Sequence, residues 1–294
     1  MHWKDLSLKY IDYLRGACRY PFLMVGRTPL KNLSREPLGF RVLVVAAHPD
    51  DETLGAGVLL HRLRHLGVDV RVVFTTNGRG LDWKTPVRQQ HATAICRLRE
   101  AQSALGTLGL SPDVIDGLGF PDRGLHRYLS CAWKDISDCL ASVSPHFVVT
   151  HGLEGGHRDH DVTSLIVQLV AAAQEVPVLE WAEYNRDFSL TDPMVGFPRN
   201  GGASSPLTLT MTEEEWQLKA TALKAYQSQP ESRHIGRRQE VFRWAQSRDA
   251  VEMLDACGGE PRVLKTLQQF GKSKLRNPYP VRQIEPPGNL LPLP

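Results

Sequence analysis

The sequence predicts an α/β fold of the doubly wound kind, a mostly parallel sheet with helices on both faces. Two observations carry that prediction. From residue 41 onward, short apolar and β-branched runs alternate with segments whose apolar residues recur at helical spacing, as in sheets built from strand–helix units. Two of those runs, far apart in the chain, lead into turns crowded with His and Asp before the next helix begins. Open α/β sheets bind ligands at such carboxyl ends of strands.

The elements follow in order. Val42-Leu-Val-Val-Ala-Ala47 is apolar at every position, so strand 41–47 is buried on both faces. Pro49, with no N–H to donate, ends its ladder. Leu54, Val58, Leu59 and Leu63 set a helix over 53–66, closed by Gly67. Strand 69–76 ends in Thr75-Thr-Asn-Gly78, a ligand-facing loop. Ile95, Leu98, Ala101, Leu105 and Leu108 make the stripe of a long helix over 87–108. A short strand near 113–118 leads to Phe120-Pro-Asp122, then helix 129–143, strand 146–150, helix 159–174 and strand 178–184. Residues 185–211, rich in Gly, Pro and Ser, read as a long loop of the lid or binding type. Helix 213–226 comes next, then a basic patch (Arg233, His234, Arg237, Arg238), and residues 240–256 hold one more helix and a strand. At the ends, residues 1–39 form a leader that packs on the domain, with Tyr10, Ile11, Tyr13 and Leu14 hinting at a short helix. Residues 257–294 form a Pro- and basic-rich tail, largely irregular beyond 271.

Composition bounds the function. The 294 residues suffice for a full core and sit at the upper end of one domain. A net charge of +3 implies no general nucleic-acid-binding field. The five cysteines are scattered, odd in number and without metal spacing, and Cys96 and Cys131 on helices read as buried or inert thiols. That usage points to a reducing, cytoplasmic setting. No apolar run approaches the roughly 18 residues of a membrane span, and no signal-peptide pattern opens the chain.

The first polar turn is His48-Pro-Asp-Asp-Glu52. Asp50 could cap the following helix and Asp51 and Glu52 could complement its dipole, worth about 0.5–2 kcal/mol together. That account leaves His48 without a role, whereas imidazole and carboxylate together form a zinc-type ligand set. The second turn lies in Thr150-His-Gly-Leu-Glu-Gly-Gly-His-Arg-Asp-His-Asp161. His157 and His160, three apart at a helix start, can face one point. Gly155 and Gly156 allow close backbone approach. If the two strands are neighbours, the clusters converge on a metal.

The chain resembles the LmbE-like, or PIG-L, family of zinc-dependent N-acetylglucosaminyl deacetylases. Ala-His-Pro-Asp-Asp-Glu stands unbroken at Ala47 to Glu52, and Gly-Gly-His-x-Asp-His at Gly155 to His160. Weaker matches are Arg97-x-x-Glu100 with Leu108-Gly109, Gly119-Phe-Pro-Asp122 and Ala225-Tyr-Gln-Ser-Gln229, so the likeness spans roughly 41 to 230. It implies a Rossmann-like three-layer sandwich with a mostly parallel sheet, and a deacetylase domain over 40–256. It implies zinc, or another divalent ion, held by His48, Asp51 and His160 with one position left for water. Asp50 resembles the general base. His157 would stabilise the oxyanion or share the acid role, and Asp159 would orient His157 or a ligand, with helix capping as a compatible second role. Arg97 and Asp122 match positions that hold sugar hydroxyls or phosphate; pairing of Arg97 with an acid on its own helix and a plain turn at Asp122 are the competing readings.

Two departures stand out. Gly155 occupies a position where some members have Tyr, and Arg158 replaces the usual Pro. The implied function is removal of an N-acetyl or other N-acyl group from an amino sugar or its conjugate, a small-molecule partner; homo-oligomerisation is left open. The alternatives are a deacylase of a larger glycolipid or glycopeptide antibiotic and, in a different class, a non-catalytic sugar- or metal-binding module. The last predicts loss of the base or a ligand, yet Asp50 and the three ligands are intact. Loops 78–86, 120–127 and 185–211 should wall the cleft. Their Arg79, Trp83, Lys84, Asp122, Arg123, Arg186 and Asp187 suit hydroxyls better than a buried acyl chain. Of the remaining histidines, read as structural or surface residues, His151 lies nearest the second cluster.

Overall fold

The computed structural model describes residues 39–79, 86–183, 197, 205–229, 238–245, 250, 254 and 261–275. Among them, seven strands form one sheet in the order β3-β2-β1-β4-β5-β7-β6. These are β1 (Arg41–Ala46), β2 (Asp69–Thr76), β3 (Ile115–Phe120), β4 (Phe147–His151), β5 (Val178–Trp181), β6 (Leu207–Thr210) and β7 (Gln239–Trp244). The first five are parallel, while β7 runs antiparallel to β5 and to β6. Among the described residues, helices α1 (Asp51–His65), α2 (Val87–Thr107), α3 (Leu129–Val143), α4 (Arg158–Ala173), α5 (Glu213–Leu223) and α6 (Pro261–Leu275) cover the sheet.

The unbroken apolar run of β1 is explained by its two faces. Val42, Val44 and Ala46 pack toward α1, α2 and α5, and Leu43 and Val45 toward α3, α4 and α6. After β1 the chain adds β2 and β3 on one side, then returns to add β4 on the other. The crevice where strand order reverses therefore opens between the carboxyl ends of β1 and β4. Those are the ends that carry the two His/Asp turns.

Three expectations need correction. β5 stops at Trp181, because the Glu183 N–H turns to the Glu154 carboxylate instead of extending the ladder. β6 lies inside the segment read as loop 185–211; Leu209 is its one buried residue, too little alternation to see in sequence. α6 occupies much of the segment read as a tail. Its Val263 and Leu267 join the core beside α4, and Lys274 lies over the rings of Trp133 and Phe270. The Pro and Lys content that suggested irregularity is helix punctuation, with Pro261 at the first position and Lys272 and Lys274 in the last turn. Cys96 and Cys131 are exposed and Cys139 is buried. The leader, Trp83, Lys84, Arg186, Asp187, Arg233, His234, Arg237 and the chain beyond 275 lie outside the described residues.

One irregularity inside α1 organises the layer beneath the site. Ala56 leaves helical geometry (φ −141, ψ 15). A Cβ on Gly55 would meet the Trp181 indole at 2.1 Å, so the helix can approach β5 this closely only with glycine there. The break opens the bond that would join Val58 N–H to the Leu54 carbonyl. A buried ion pair fills it: Lys219 Nζ donates to Leu54 O at 2.6 Å, and Glu240 accepts from Val58 N at 2.8 Å and Leu59 N at 3.0 Å. Lys219 and Glu240 are themselves 2.6 Å apart. Removing one partner of such a pair strands a buried charge. Lys219→Met should therefore lower unfolding free energy by about 3–5 kcal/mol in urea titrations, and a loss under about 1 kcal/mol would show that the break needs no such splint.

Candidate active site

The polar turn after β1 is pinned before its side chains do anything chemical. Ala47 O accepts from both Thr76 N (2.9 Å) and Thr76 Oγ1 (2.8 Å), and Ala47 N–H donates to His151 Nε2 at 2.8 Å. The chain thus leaves β1 locked to its neighbours on both sides. His48 N–H then donates to Asp51 Oδ2 at 2.7 Å, closing the turn.

Asp50 adopts φ 138 and ψ −30, a region that side chains rarely enter. Two groups hold it there. Its N–H donates to Glu52 Oε2 at 3.0 Å, while Glu52 Oε1 accepts from Thr53 Oγ1 (2.7 Å) and Tyr226 OH (2.5 Å). Burial pushes Glu52 up to about 7 despite those donors. From the other side, Arg97 Nη2 donates to Asp50 Oδ1 and to Pro49 O, both at 2.8 Å, and Nη1 donates to Gly78 O at 2.5 Å. Gly78 has φ 59, and a Cβ there would lie 2.6 Å from Nη1, so the Thr75–Gly78 loop serves to seat this guanidinium. Arg97 pairs with an acid, as one sequence reading allowed, but across elements and not on its own helix. Glu100, one turn on, accepts from Ser228 N (2.9 Å) and Ser228 Oγ (2.5 Å), joining α2 to the turn after α5.

Three predicted ligand atoms converge. His48 Nδ1 and Asp51 Oδ2 are 3.0 Å apart, and His160 Nε2 lies 3.3 Å from each. Ligands about 2.0–2.2 Å from a tetrahedral zinc are separated by roughly 3.3–3.6 Å. The triangle therefore fits one face of a zinc-type tetrahedron with little movement. His151 Nε2 is 3.4 Å from the same Asp51 oxygen, but its lone pair already accepts the Ala47 N–H. Its Nδ1 faces Glu183 at 3.2 Å. It braces the cluster instead of ligating. Burial pushes His160 down to about 4, leaving it neutral, as a ligand must be. Burial opposes charge on Asp51, but His160 and His48 outweigh it and hold the carboxyl well below its usual range. Burial also opposes charge on His48, yet Asp51, Asp122 and Asp159 outweigh it and keep that imidazole well above its ordinary value.

His157 caps α4, its Nδ1 accepting from Asp159 N at 3.3 Å, and its ring stands edge-on to His48 at 4.8 Å. The two glycines before it lie in a loop pinned by Asp161, which accepts from Glu154 N (3.1 Å) and Gly155 N (2.9 Å). Gly155 itself has φ 73. Asp122 sits in a turn closed by Gly124 N to Pro121 O, with Arg123 left-handed at φ 56 and its N–H donated to Asp159 Oδ2. Asp122 Oδ1 and Asp159 Oδ2 approach His48 Nε2 to 3.3 and 3.5 Å. Asp159 is thus aimed at His48 as well as supplying the capped N–H. All eight predicted site residues fall in one neighbourhood. Sequence reasoning gave no role to Glu154, Asp161, Glu183 and Tyr226. For Tyr226 the signal was present, since it lies in the Ala225–Gln229 match; the others carried none.

Comparisons with known proteins point to one family model and a set of named deacetylases. A family model described as PIG-L, GlcNAc-PI de-N-acetylase, matches residues 43–171. A 1D-myo-inositol 2-acetamido-2-deoxy-alpha-D-glucopyranoside deacetylase of Corynebacterium diphtheriae is 28% identical over 229 residues, covering 66% of this chain and 78% of the relative. A protein of the same name from Mycobacterium sp. (strain KMS) is 31% identical over 171 residues, 50% of this chain and 55% of that one. Among solved structures, the A40926 pseudoaglycone deacetylase superposes with TM-score 0.55 at 22% identity, over 69% of this chain and 96% of the other. The two strand-end motifs lie within the matched span and meet at the crevice of the sheet, and the chain carries a PIG-L (LmbE-like) domain over residues 43–171.

Proposed function

We propose that the protein is a zinc-type metal hydrolase that removes the N-acetyl group from an N-acetylglucosaminyl conjugate. The observation that carries the reading is the His48–Asp51–His160 triangle with Asp50 held beside it by Arg97. The names of the curated relatives, which act on an inositol-linked acetamido sugar, favour a small polar aglycone.

His48, Asp51 and His160 would hold a zinc-type ion, which would supply Lewis-acid activation of a water molecule and of the amide carbonyl. Asp50 accepts a proton from the water as its oxygen attacks the carbonyl carbon. Arg97 keeps that carboxylate turned toward the attack and out of the ligand set. His157 Nδ1 is occupied by the Asp159 N–H, so the neutral ring carries its proton on Nε2. That N–H is a ready donor to the oxygen that gains negative charge. When the carbon–nitrogen bond breaks, Asp50 returns its proton to the departing amine. Asp122, presented by its own tight turn, serves a sugar hydroxyl.

The reading is tested by incubating metal-loaded protein with N-acyl sugars and conjugates and following free amine by mass; no release from any acetylated glucosamine conjugate would overturn it. Metal content separates the adjacent acids. His160→Ala and Asp51→Asn should both lose most of about one bound ion per chain, whereas Asp50→Asn should keep it and slow turnover by about 10²–10⁴. Equal metal loss in both Asp variants would reverse the assignment. For recognition, Asp122→Ala should weaken use of an N-acetylglucosamine conjugate while leaving hydrolysis of acetanilide nearly unchanged. A lost hydroxyl contact can penalise only a substrate that makes it. Equal losses on both substrates would place Asp122 in the chemistry or the scaffold.

A further inference from the structure

The His48 ring stands between two sets of donors. Its Nδ1 faces Asp51 and His160, and its Nε2 faces Asp122 and Asp159. We propose that the second set, His48 Nε2 with Asp122 and Asp159, is a distinct zinc-type cation site that fills at excess metal and shares the His48 ring with the first.

Three observations carry this. The donors form a nitrogen–oxygen–oxygen trio, and His48 Nε2 lies 3.3 Å from Asp122 Oδ1 and 3.5 Å from Asp159 Oδ2. Those separations match the roughly 3.3–3.6 Å spacing of ligands around a tetrahedral zinc. Next, the nitrogen of the trio, His48 Nε2, is buried without a hydrogen-bond partner among the described residues, and so is Asp159 Oδ1, the oxygen beside the one that faces the ring. His48 is 7% exposed and Asp159 is fully buried. A single carboxylate aligned with the Nε2 hydrogen would suffice to orient the ring. Here two carboxylates face the nitrogen at 3.3 and 3.5 Å and neither makes a hydrogen bond to it, a pair of buried anions that a divalent cation would neutralise. Lastly, the trio is built and does not drift. Asp159 is fixed at the start of α4, and the Asp122 turn is tied to it through the Arg123 N–H.

The charge also fits, since two carboxylates balance one divalent ion. An ion there replaces the proton on Nε2, which leaves to solvent, and the imidazole then bridges the two metals. Because that proton must be released and His48 is already committed to the first ion, the second binds more weakly. Asp122, once a ligand, is no longer available to a sugar. That consequence rests on the reading under Proposed function; the site itself does not.

Equilibrium dialysis of the full chain against rising free zinc, with elemental analysis and no substrate, tests the site directly. The expected result is about one ion per chain at low zinc and about two at high zinc. Asp122→Asn and Asp159→Asn should each stop at one, and that retained ion reports that the variants are folded. One ion throughout for the wild type, or two ions still bound by both variants, would overturn the proposal. Cobalt-loaded wild type gives an independent measurement that needs no variant. Two imidazole-bridged Co(II) ions should show spin coupling, so the paramagnetic resonance intensity per cobalt should fall as the second ion binds. Two ions bound with undiminished intensity would place the second one elsewhere. With an N-acetylglucosamine conjugate, excess zinc should raise KM before it lowers kcat. Two-ion binding without this effect would retain the site and remove only its overlap with the sugar position.

Discussion

A single carboxylate oxygen, Asp51 Oδ2, is the point at which the two halves of the site meet. His48 N, His48 Nδ1, His160 Nε2 and His151 Nε2 surround it at 2.7, 3.0, 3.3 and 3.4 Å. Two of those neighbours come from the turn after β1, and two from β4 and α4. So many polar groups can be packed around one buried oxygen only if each is fixed from behind, because an unsatisfied buried polar group costs about 1–3 kcal/mol. The fixing is visible at each one. Ala47 N–H orients His151, Thr76 holds the Ala47 carbonyl, and the adjacency of β1 and β4 sets the distance between the turns. The sheet's reversal of strand order is thus a condition of the chemistry.

The same demand reaches one layer further out. Asp51 is the first residue of α1, so the position of its carboxylate depends on how that helix lies on the sheet. Close approach at Gly55 and the break at Ala56 settle it, with Lys219 and Glu240 supplying the hydrogen bonds the break removes. Neither residue is near the metal triangle in sequence. They act on the site through the backbone of α1.

How much of this was legible depended on the range over which each feature is determined. The parallel core and the two strand-end turns with their His and Asp residues are local: apolar runs, Pro49 and rare residues at fixed spacing state them directly. Arg97 was visible as a residue of interest, but its partner was not, because the bond to Asp50 joins α2 to the turn after β1. Lys219 and Glu240 look like ordinary surface charges until the tertiary structure pairs them in the core. β6 was invisible because one buried Leu209 makes no pattern. α6 was obscured because Pro and Lys signal both irregular tails and helix ends, and only the burial of Val263 and Leu267 decides between them.

The strained backbone at Asp50 closes the physical account. Under the proposed function two consecutive acids do different things: one ligates, one takes a proton. Were both carboxylates aimed at the same point, they would repel each other and compete for the same cation. The turn separates them through the backbone. Asp50 at φ 138 sends its side chain toward Arg97, while Asp51 begins the helix and faces His48 and His160. A conformation of this kind costs on the order of 1–3 kcal/mol and persists only where its surroundings over-determine it. Here Glu52 takes the Asp50 N–H, Tyr226 and Thr53 hold Glu52, and Arg97 binds the Asp50 carboxylate and the Pro49 carbonyl together. The residues of the weaker motifs, Arg97 and Tyr226, are therefore tied to the strong one by mechanics, since they keep its two acids apart.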